Sequence, residues 1–146
     1  MKVRIQRVGN HQLPIPEYQT EGASAFDLRA QLGAARLACP PGVAVSVPVG
    51  FAFEVPDGYE LQVRGRSGLA FGWGIIACHS PGTVDSDYRG EVRVLLHNMS
   101  GVEFVINHGD RIAQGVIAPV VRAQLEEVSE LSETARGNGG FGSTGR

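Results

Sequence analysis

His79-Ser80-Pro81-Gly82-Thr83-Val84-Asp85-Ser86-Asp87-Tyr88-Arg89-Gly90-Glu91 joins two apolar runs. Ser-Pro-Gly is turn chemistry, because proline sets φ and glycine adopts conformations other residues avoid. The run Gly74–Cys78 precedes it and the alternating run Glu91–Leu96 follows, so a β-hairpin is the expected local structure. Two acids, an aromatic and an arginine then crowd the exit of the turn, which is more chemistry than a bare hairpin uses. The plain alternative is a solvated hairpin with a polar end.

Working outward, the same period of two recurs. Val3, Ile5 and Val8 alternate with arginines, which reads as a first strand. Val43, Val45, Val47 and Val49 share one face, and Phe51, Phe53 and Val55 continue it. Pro56-Asp57-Gly58 turns the chain into the alternating stretch 59–64, and further strands are expected at 91–97, 102–106 and 111–117. Residues 124–131 read equally as a last strand or an exposed connector. The pattern amounts to about ten β segments, with Ser67 capping a short helical turn that runs to about Phe71. The expected class is all-β.

Composition agrees. The 146 residues suit one domain with a single core, and 20 glycines, 8 prolines and 19% charged residues describe a turn-rich chain. A net charge of −2 argues against a nucleic-acid binder that works by neutralising phosphates. Cys39 and Cys78 are too few and too unpatterned for a disulfide framework or a zinc site, and read as small hydrophobes. No run reaches membrane-spanning length, and MKVRIQRV reads as a strand, not a secretion signal. A cytoplasmic setting is expected.

Four further places carry chemistry. Asp27 sits inside the apolar segment 23–30, where it is either an edge residue facing water or a contact for a nucleotide or a metal's water. Gly65-Arg66-Ser67-Gly68-Leu69-Ala70 combines a fixed cation, a hydroxyl and helix-start amides, a natural anion site. Gln114 lies in an otherwise apolar strand, where an amide needs partners. The tail Arg136–Arg146 holds five glycines between 137 and 145 together with Phe141, Ser143 and Thr144. It reads as a floppy terminus, or as an arm whose amides, hydroxyls and guanidinium order on a polyphosphate while Phe141 stacks on a base.

Five segments in order, 25–30, 65–70, 82–91, 109–114 and 136–145, together resemble the trimeric dUTP diphosphatases (dUTPases), over residues from about 20 to the end. The resemblance implies a β jelly roll over residues 1–128 and a flexible arm over 129–146 that closes on a neighbouring subunit. It implies hydrolysis of dUTP to dUMP and pyrophosphate, which keeps uracil out of DNA and supplies dUMP for thymidylate synthesis. By the same resemblance, Asp85 activates a water that attacks the α-phosphorus, and Gln114 helps hold it. Arg66, Ser67 and Gly68 bind phosphates, with Ser67 near the leaving oxygen. Mg2+ rides on the triphosphate, and Asp27 steadies it through water. The hairpin with His79, Gly82 and Val84 reads uracil through its backbone, and Tyr88 packs under the deoxyribose. Arg136, Phe141, Gly142, Ser143 and Thr144 close over the nucleotide. A homotrimer with shared sites is implied by the resemblance alone.

Two alternatives share the fold: a dCTP deaminase, alone or bifunctional, and a non-enzymatic dUTP sensor. The intact stretch Asp85–Gly90 and the full glycine-rich tail favour the diphosphatase, and Asp27, Asp85 and Gln114 together argue against a sensor. Two departures stand out. Trp73 replaces a basic residue or histidine, and the sequence offers no physical account of it. His79 replaces the asparagine of many bacterial members, which makes base affinity depend on pH around 6 to 7. A Michaelis constant for dUTP that stays flat between about pH 5.5 and 8 would exclude that effect.

Overall fold

The computed structural model describes residues 1–143 and 145. The chain runs β1 (Arg4–Arg7), β2 (Phe26–Arg29), β3 (Arg36–Cys39), β4 (Ala44–Pro48), β5 (Phe51–Glu54) and β6 (Tyr59–Arg64) into a helix, α1 (Ser67–Trp73). It continues with β7 (Ile75–Ala77), β8 (Gly82–Val84), β9 (Arg93–Asn98), β10 (Phe104–Asn107) and β11 (Arg111–Pro119). The strands form a four-stranded sheet in the order β2-β11-β6-β8, a three-stranded sheet β4-β9-β7, and the pairs β1-β5 and β10-β3. Every pairing is antiparallel. One core draws Leu28, Phe53, Leu61, Ile75, Leu96 and Ile112 from six different strands, none more than 1% exposed. The architecture is an all-β jelly roll.

Alternation explains most of it. Along β9, Val94, Leu96 and Asn98 are buried while Arg93 and Leu95 face out, as a sheet with one solvated face requires. The long valine run of residues 43–49 does not continue straight into Phe51. Gly50 takes φ +75° and splits it into β4 and β5, a backbone conformation only glycine adopts readily. Pro56-Asp57-Gly58 turns the chain as expected, with Gly58 at φ +79° and the Tyr59 amide donating to the Pro56 carbonyl at 3.2 Å. Strand β3 is the one that periodicity does not announce, because its RLAC sequence buries only Cys39. Burial pushes the Cys39 thiol up from its ordinary value, which suits a small hydrophobe. Both cysteines are free.

The decisive feature is the connection through residues 78–92. The flanking apolar runs do pair, Ile75 with Asn98 and Ala77 with Leu96. The loop between them is no tight turn, however. Its strand β8 leaves the three-stranded sheet and pairs with β6 in the four-stranded one, Val63 opposite Gly82 and Leu61 opposite Val84. Beyond Pro119 the chain has no further strand among the described residues, and Val121, Leu125 and Leu131 are 87–93% exposed. The stretch 124–131 is therefore a connector in this chain. Among the described residues no helix is long and apolar enough to cross a membrane.

Asn98 anchors the turn after β9. It is fully buried, and its Nδ2 donates to the carbonyls of Cys39 and Val102, both at 2.7 Å. Its Oδ1 accepts from the Ser100 amide at 2.9 Å and the Ser100 hydroxyl at 2.7 Å. A buried amide with every capacity used is stabilising, whereas its removal orphans the Cys39 carbonyl. Asn98→Ala should therefore lower the unfolding free energy by about 1–3 kcal/mol, measured by urea denaturation; an unchanged midpoint would contradict this account of the turn.

Candidate active site

The four-stranded sheet builds the first cluster. Asp27 on β2 lies opposite Gln114 on β11, and Gln114 lies opposite Arg64 on β6. A register shift in β11 between Arg111 and Ala113 turns Arg111 toward the acid. The Asp27 carboxylate is only 7% exposed and sits between two guanidiniums. Arg66 Nε is 3.3 Å from Oδ1, and Arg111 Nη1 donates to Oδ2 at 3.2 Å. Arg66 Nη1 also donates to the Arg111 carbonyl at 3.0 Å, so one arginine holds both strand and acid. Asp27 is thus no residue facing water, although β2 is an edge strand. A buried carboxylate is tolerable only when paired. One of its oxygens still has capacity to spare: among the described residues Oδ1 accepts no hydrogen bond.

Helix α1 begins where Arg66 ends. Arg66 is the N-cap, with extended backbone, and makes no side-chain cap bond. Ser67 is therefore the first helical residue, not a cap, and the helix runs two residues past Phe71 to Trp73, ending on Gly74 in the left-handed region. The amides of Leu69 and Ala70 bond back to the Arg66 carbonyl. The Ser67 and Gly68 positions stay exposed, and amides at a helix start have no intrahelical partner. Trp73 packs at 5.7 Å on the Phe104 ring, a structural contact for a residue the sequence left unexplained.

The second cluster is the crossover itself. The Tyr88 amide donates to the Asp85 carbonyl at 3.1 Å and closes a turn. Arg89 Nη1 then locks that turn by donating to the carbonyls of Ser86 at 2.6 Å and Tyr88 at 3.0 Å. An open pocket of about 310 Å³ is lined here by His79, Gly82, Val84, Asp85, Tyr88 and Arg93. The His79 ring lies over Gly82, where an added Cβ would meet Nε2 at 3.1 Å. The Ser80 hydroxyl accepts from the Gly65 amide at 3.3 Å, which ties the pocket's rim to the segment that leads into Arg66.

The chain brings its candidate residues together as two groups, not one. Asp85 follows Val84, which pairs with Leu61, whereas Gln114 pairs with Arg64 three residues along β6, roughly 10 Å on at strand rise. None of Asp27, Arg66 or Gln114 lines the Tyr88 pocket. The tail joins neither group: Arg136 Nε donates to the Gly139 carbonyl at 2.9 Å, and Phe141 is fully exposed at φ +51°. Gly142 and Ser143 also lie outside the pocket, and Thr144 lies outside the described residues. Sequence reasoning missed Arg111 as a partner of Asp27. Its signal was a charged residue opening an apolar strand three positions before Gln114.

Residues 11–145 match the family model described as dUTPase. The chain is 57% identical over 142 residues to the deoxyuridine 5'-triphosphate nucleotidohydrolase of Rhizobium etli (strain CIAT 652), covering 97% of this chain and 91% of that one. It is 49% identical over 146 residues to the protein of the same description from Bdellovibrio bacteriovorus, covering 100% and 97%. In three dimensions it is similar to the Staphylococcus bacteriophage 80alpha dUTPase solved with dUPNHPP, at a TM-score of 0.84 and 21% identity over 99% of both chains.

One glycine makes the first cluster's geometry testable. Gly115, next to Gln114, faces Phe26 beside Asp27, and an added Cβ would meet the Phe26 Cζ at 2.6 Å and Leu61 Cδ1 at 3.1 Å. Gly115→Ala should cost about 1–3 kcal/mol of stability through overpacking, measured by thermal denaturation; a variant as stable as the parent would show that Phe26 is not seated as described.

Proposed function

The chain belongs to the dUTPase family and hydrolyses dUTP to dUMP, and from that premise we propose how its two clusters divide the reaction. The observation that carries the proposal is the pocket walled by Gly82, Val84 and Tyr88 with Asp85 at its edge. Uracil enters that pocket and is read by backbone groups of the crossover, which a cytosine would leave unpaired. Rejection by unpaired polar groups is strong, whereas rejection of one methyl is modest. The Tyr88 ring abuts the deoxyribose. His79, lying on Gly82, adds a side-chain contact near the base.

Asp85, exposed at the pocket edge, orients a water and takes its proton as the water oxygen bonds to the α-phosphorus. The bond from that phosphorus to the bridging oxygen breaks, and pyrophosphate leaves with the electron pair. Gln114 steadies the water. Arg66 and the exposed start of α1, Ser67 and Gly68, bind the phosphates, with Ser67 facing the charge that develops on the leaving oxygen. Arg136, Phe141, Gly142, Ser143 and Thr144 cover the nucleotide and exclude other water.

The residues also fit a magnesium ion that arrives with its own ligands. No group of three or more His, Cys, Asp or Glu side chains is placed to hold a metal among the described residues, so the protein offers no cage. Asp27 does offer one buried oxygen that accepts no hydrogen bond among the described residues, and it would steady, through water, a hydrated, triphosphate-held ion of the kind magnesium prefers. When bound, Mg2+ would neutralise phosphate charge and favour in-line geometry. As the family resemblance implies, the site is shared in a homotrimer, with Arg66–Ala70 from one subunit, the crossover from a second and the arm (residues 129–146) from a third; the separate cavities of Asp85 and Arg66 in one chain support this reading. Two free cysteines fit a reducing, cytoplasmic setting.

The test is pyrophosphate release from dUTP, dCTP, dTTP and UTP side by side, with Mg2+ and with EDTA. Selective, metal-dependent cleavage of dUTP is expected. Asp85→Asn should lower kcat by about 10²–10⁴-fold, the usual worth of a positioned base, while dUTP binding is kept. An Asp85→Asn enzyme of near-parental rate would remove Asp85 from the role given to it here.

A further inference from the structure

The Tyr88 ring is only half covered, at 46% exposure, yet it lines the pocket as a wall. Something must hold it there. Its hydroxyl donates to the Glu91 carbonyl at 3.2 Å. Glu91 is itself pinned, because its Oε1 accepts from the Gly50 amide at 2.9 Å. Between the two stands Gly90. A Cβ on Gly90 would overlap the Tyr88 hydroxyl oxygen and lie 2.5 Å from Cζ and 3.0 Å from Cε2. Contacts that short are excluded for real atoms, so the whole phenol end of the ring occupies the space a side chain at position 90 would take.

The backbone gives a different message. Gly90 is not among the glycines with positive φ, so no left-handed backbone calls for glycine there. Glycine is required at position 90 by the ring, not by the turn. We infer that Gly90 is a positioning residue for sugar selection: its bare α-carbon is the seat that holds Tyr88 against the pocket. The inference rests on the reading that Tyr88 abuts the deoxyribose of dUTP.

The consequence is specific. A methyl group on Gly90 evicts the ring from its seat, and dUTP loses its fit to the wall. UTP, whose extra hydroxyl the seated ring already opposes, has less to lose. The preference for dUTP over UTP in kcat/KM should therefore fall about tenfold or more in Gly90→Ala, within the range set by small steric differences in a pocket. The loss should appear mainly in KM for dUTP, since the substitution leaves the Asp85 carboxylate unaltered and Arg66 lies in a separate cavity.

The experiment is a double-mutant cycle of wild type, Gly90→Ala, Tyr88→Ala and the double variant. Each is assayed with dUTP and UTP and each is unfolded thermally, with wild-type cleavage of dUTP as the control for the activity. The expected result is a collapsed preference in both single variants. In the Tyr88→Ala background, adding Gly90→Ala should change preference and unfolding midpoint by little, less than about twofold in preference, because coupled sites are not additive. Collapse in Tyr88→Ala with full preference in Gly90→Ala overturns the inference alone. A Tyr88→Ala enzyme with wild-type preference overturns the reading of Tyr88, and the inference with it. Should Gly90→Ala not fold, a double variant restored to the Tyr88→Ala midpoint supports the seat, and a double variant that also fails to fold overturns it.

Discussion

Asp27 cannot be buried without its arginines, and the rest of the site follows from how they are supplied. The carboxylate sits on an edge strand, yet at 7% exposure it has lost most of its water. Arg111 reaches it from the neighbouring strand, and Arg66 reaches it from the segment between β6 and α1. Removing one partner of such a pair leaves a charge both buried and uncompensated, which costs far more than the pair gains. Arg66 and Arg111 remain partly exposed, with side chains 25% and 44% accessible, so solvent screens part of that penalty. The pairing fixes Arg66 at the mouth of α1, and so fixes where the helix-start amides and the Ser67 hydroxyl present themselves. A phosphate that draws Arg66 away from Asp27 would also free the carboxylate oxygen that has no donor of its own.

The second constraint is the crossover. By pairing β7 with β9 and β8 with β6, the chain stitches its two larger sheets together within a single connection. That stitch brings Gly82 and Val84 of β8 together with Arg93 and Leu95 of β9 around one pocket. It also fixes Asp85 roughly three residues along β6 from Gln114. The geometry of one chain thus keeps Asp85 and Arg66 in separate cavities. In the proposed reaction, a symmetric assembly in which each copy lends one half to a neighbour would reunite them.

Much of this was readable before any coordinates. The alternating valines of 43–49, the Pro-Asp-Gly turn and the apolar runs around residues 75–77 and 93–98 became strands and a turn as their sequence implied, although Gly50 breaks the run before Phe51. The all-β class was readable in the same way. What escaped was what periodicity does not encode. Strand β3 buries one residue, so it carries no pattern to detect. The length of α1 was underestimated because Gly72 and Trp73 look like a break, although the helix ends only where Gly74 adopts a left-handed conformation. Arg111 turns toward Asp27 through a bulge, and a one-residue shift reverses which face a side chain occupies. The steric role of Gly90 lies in a contact with Tyr88 two residues back, which no spacing rule announces. The segments themselves were visible in the sequence; their grouping into two separate clusters was not.

The claim on which the account turns is that one chain holds two incomplete halves of a site. Mixing two inactive variants tests it most directly. Asp85→Asn and Arg66→Ala, each defective in a different half, would be denatured, combined in equal amounts and refolded, then assayed for pyrophosphate release from dUTP. If each site takes its two halves from different copies, about one quarter of the sites should regain both intact halves by random assembly, and activity should return to that fraction of wild type. If each chain builds its own site, every site keeps a defect and the mixture stays as inactive as its parents.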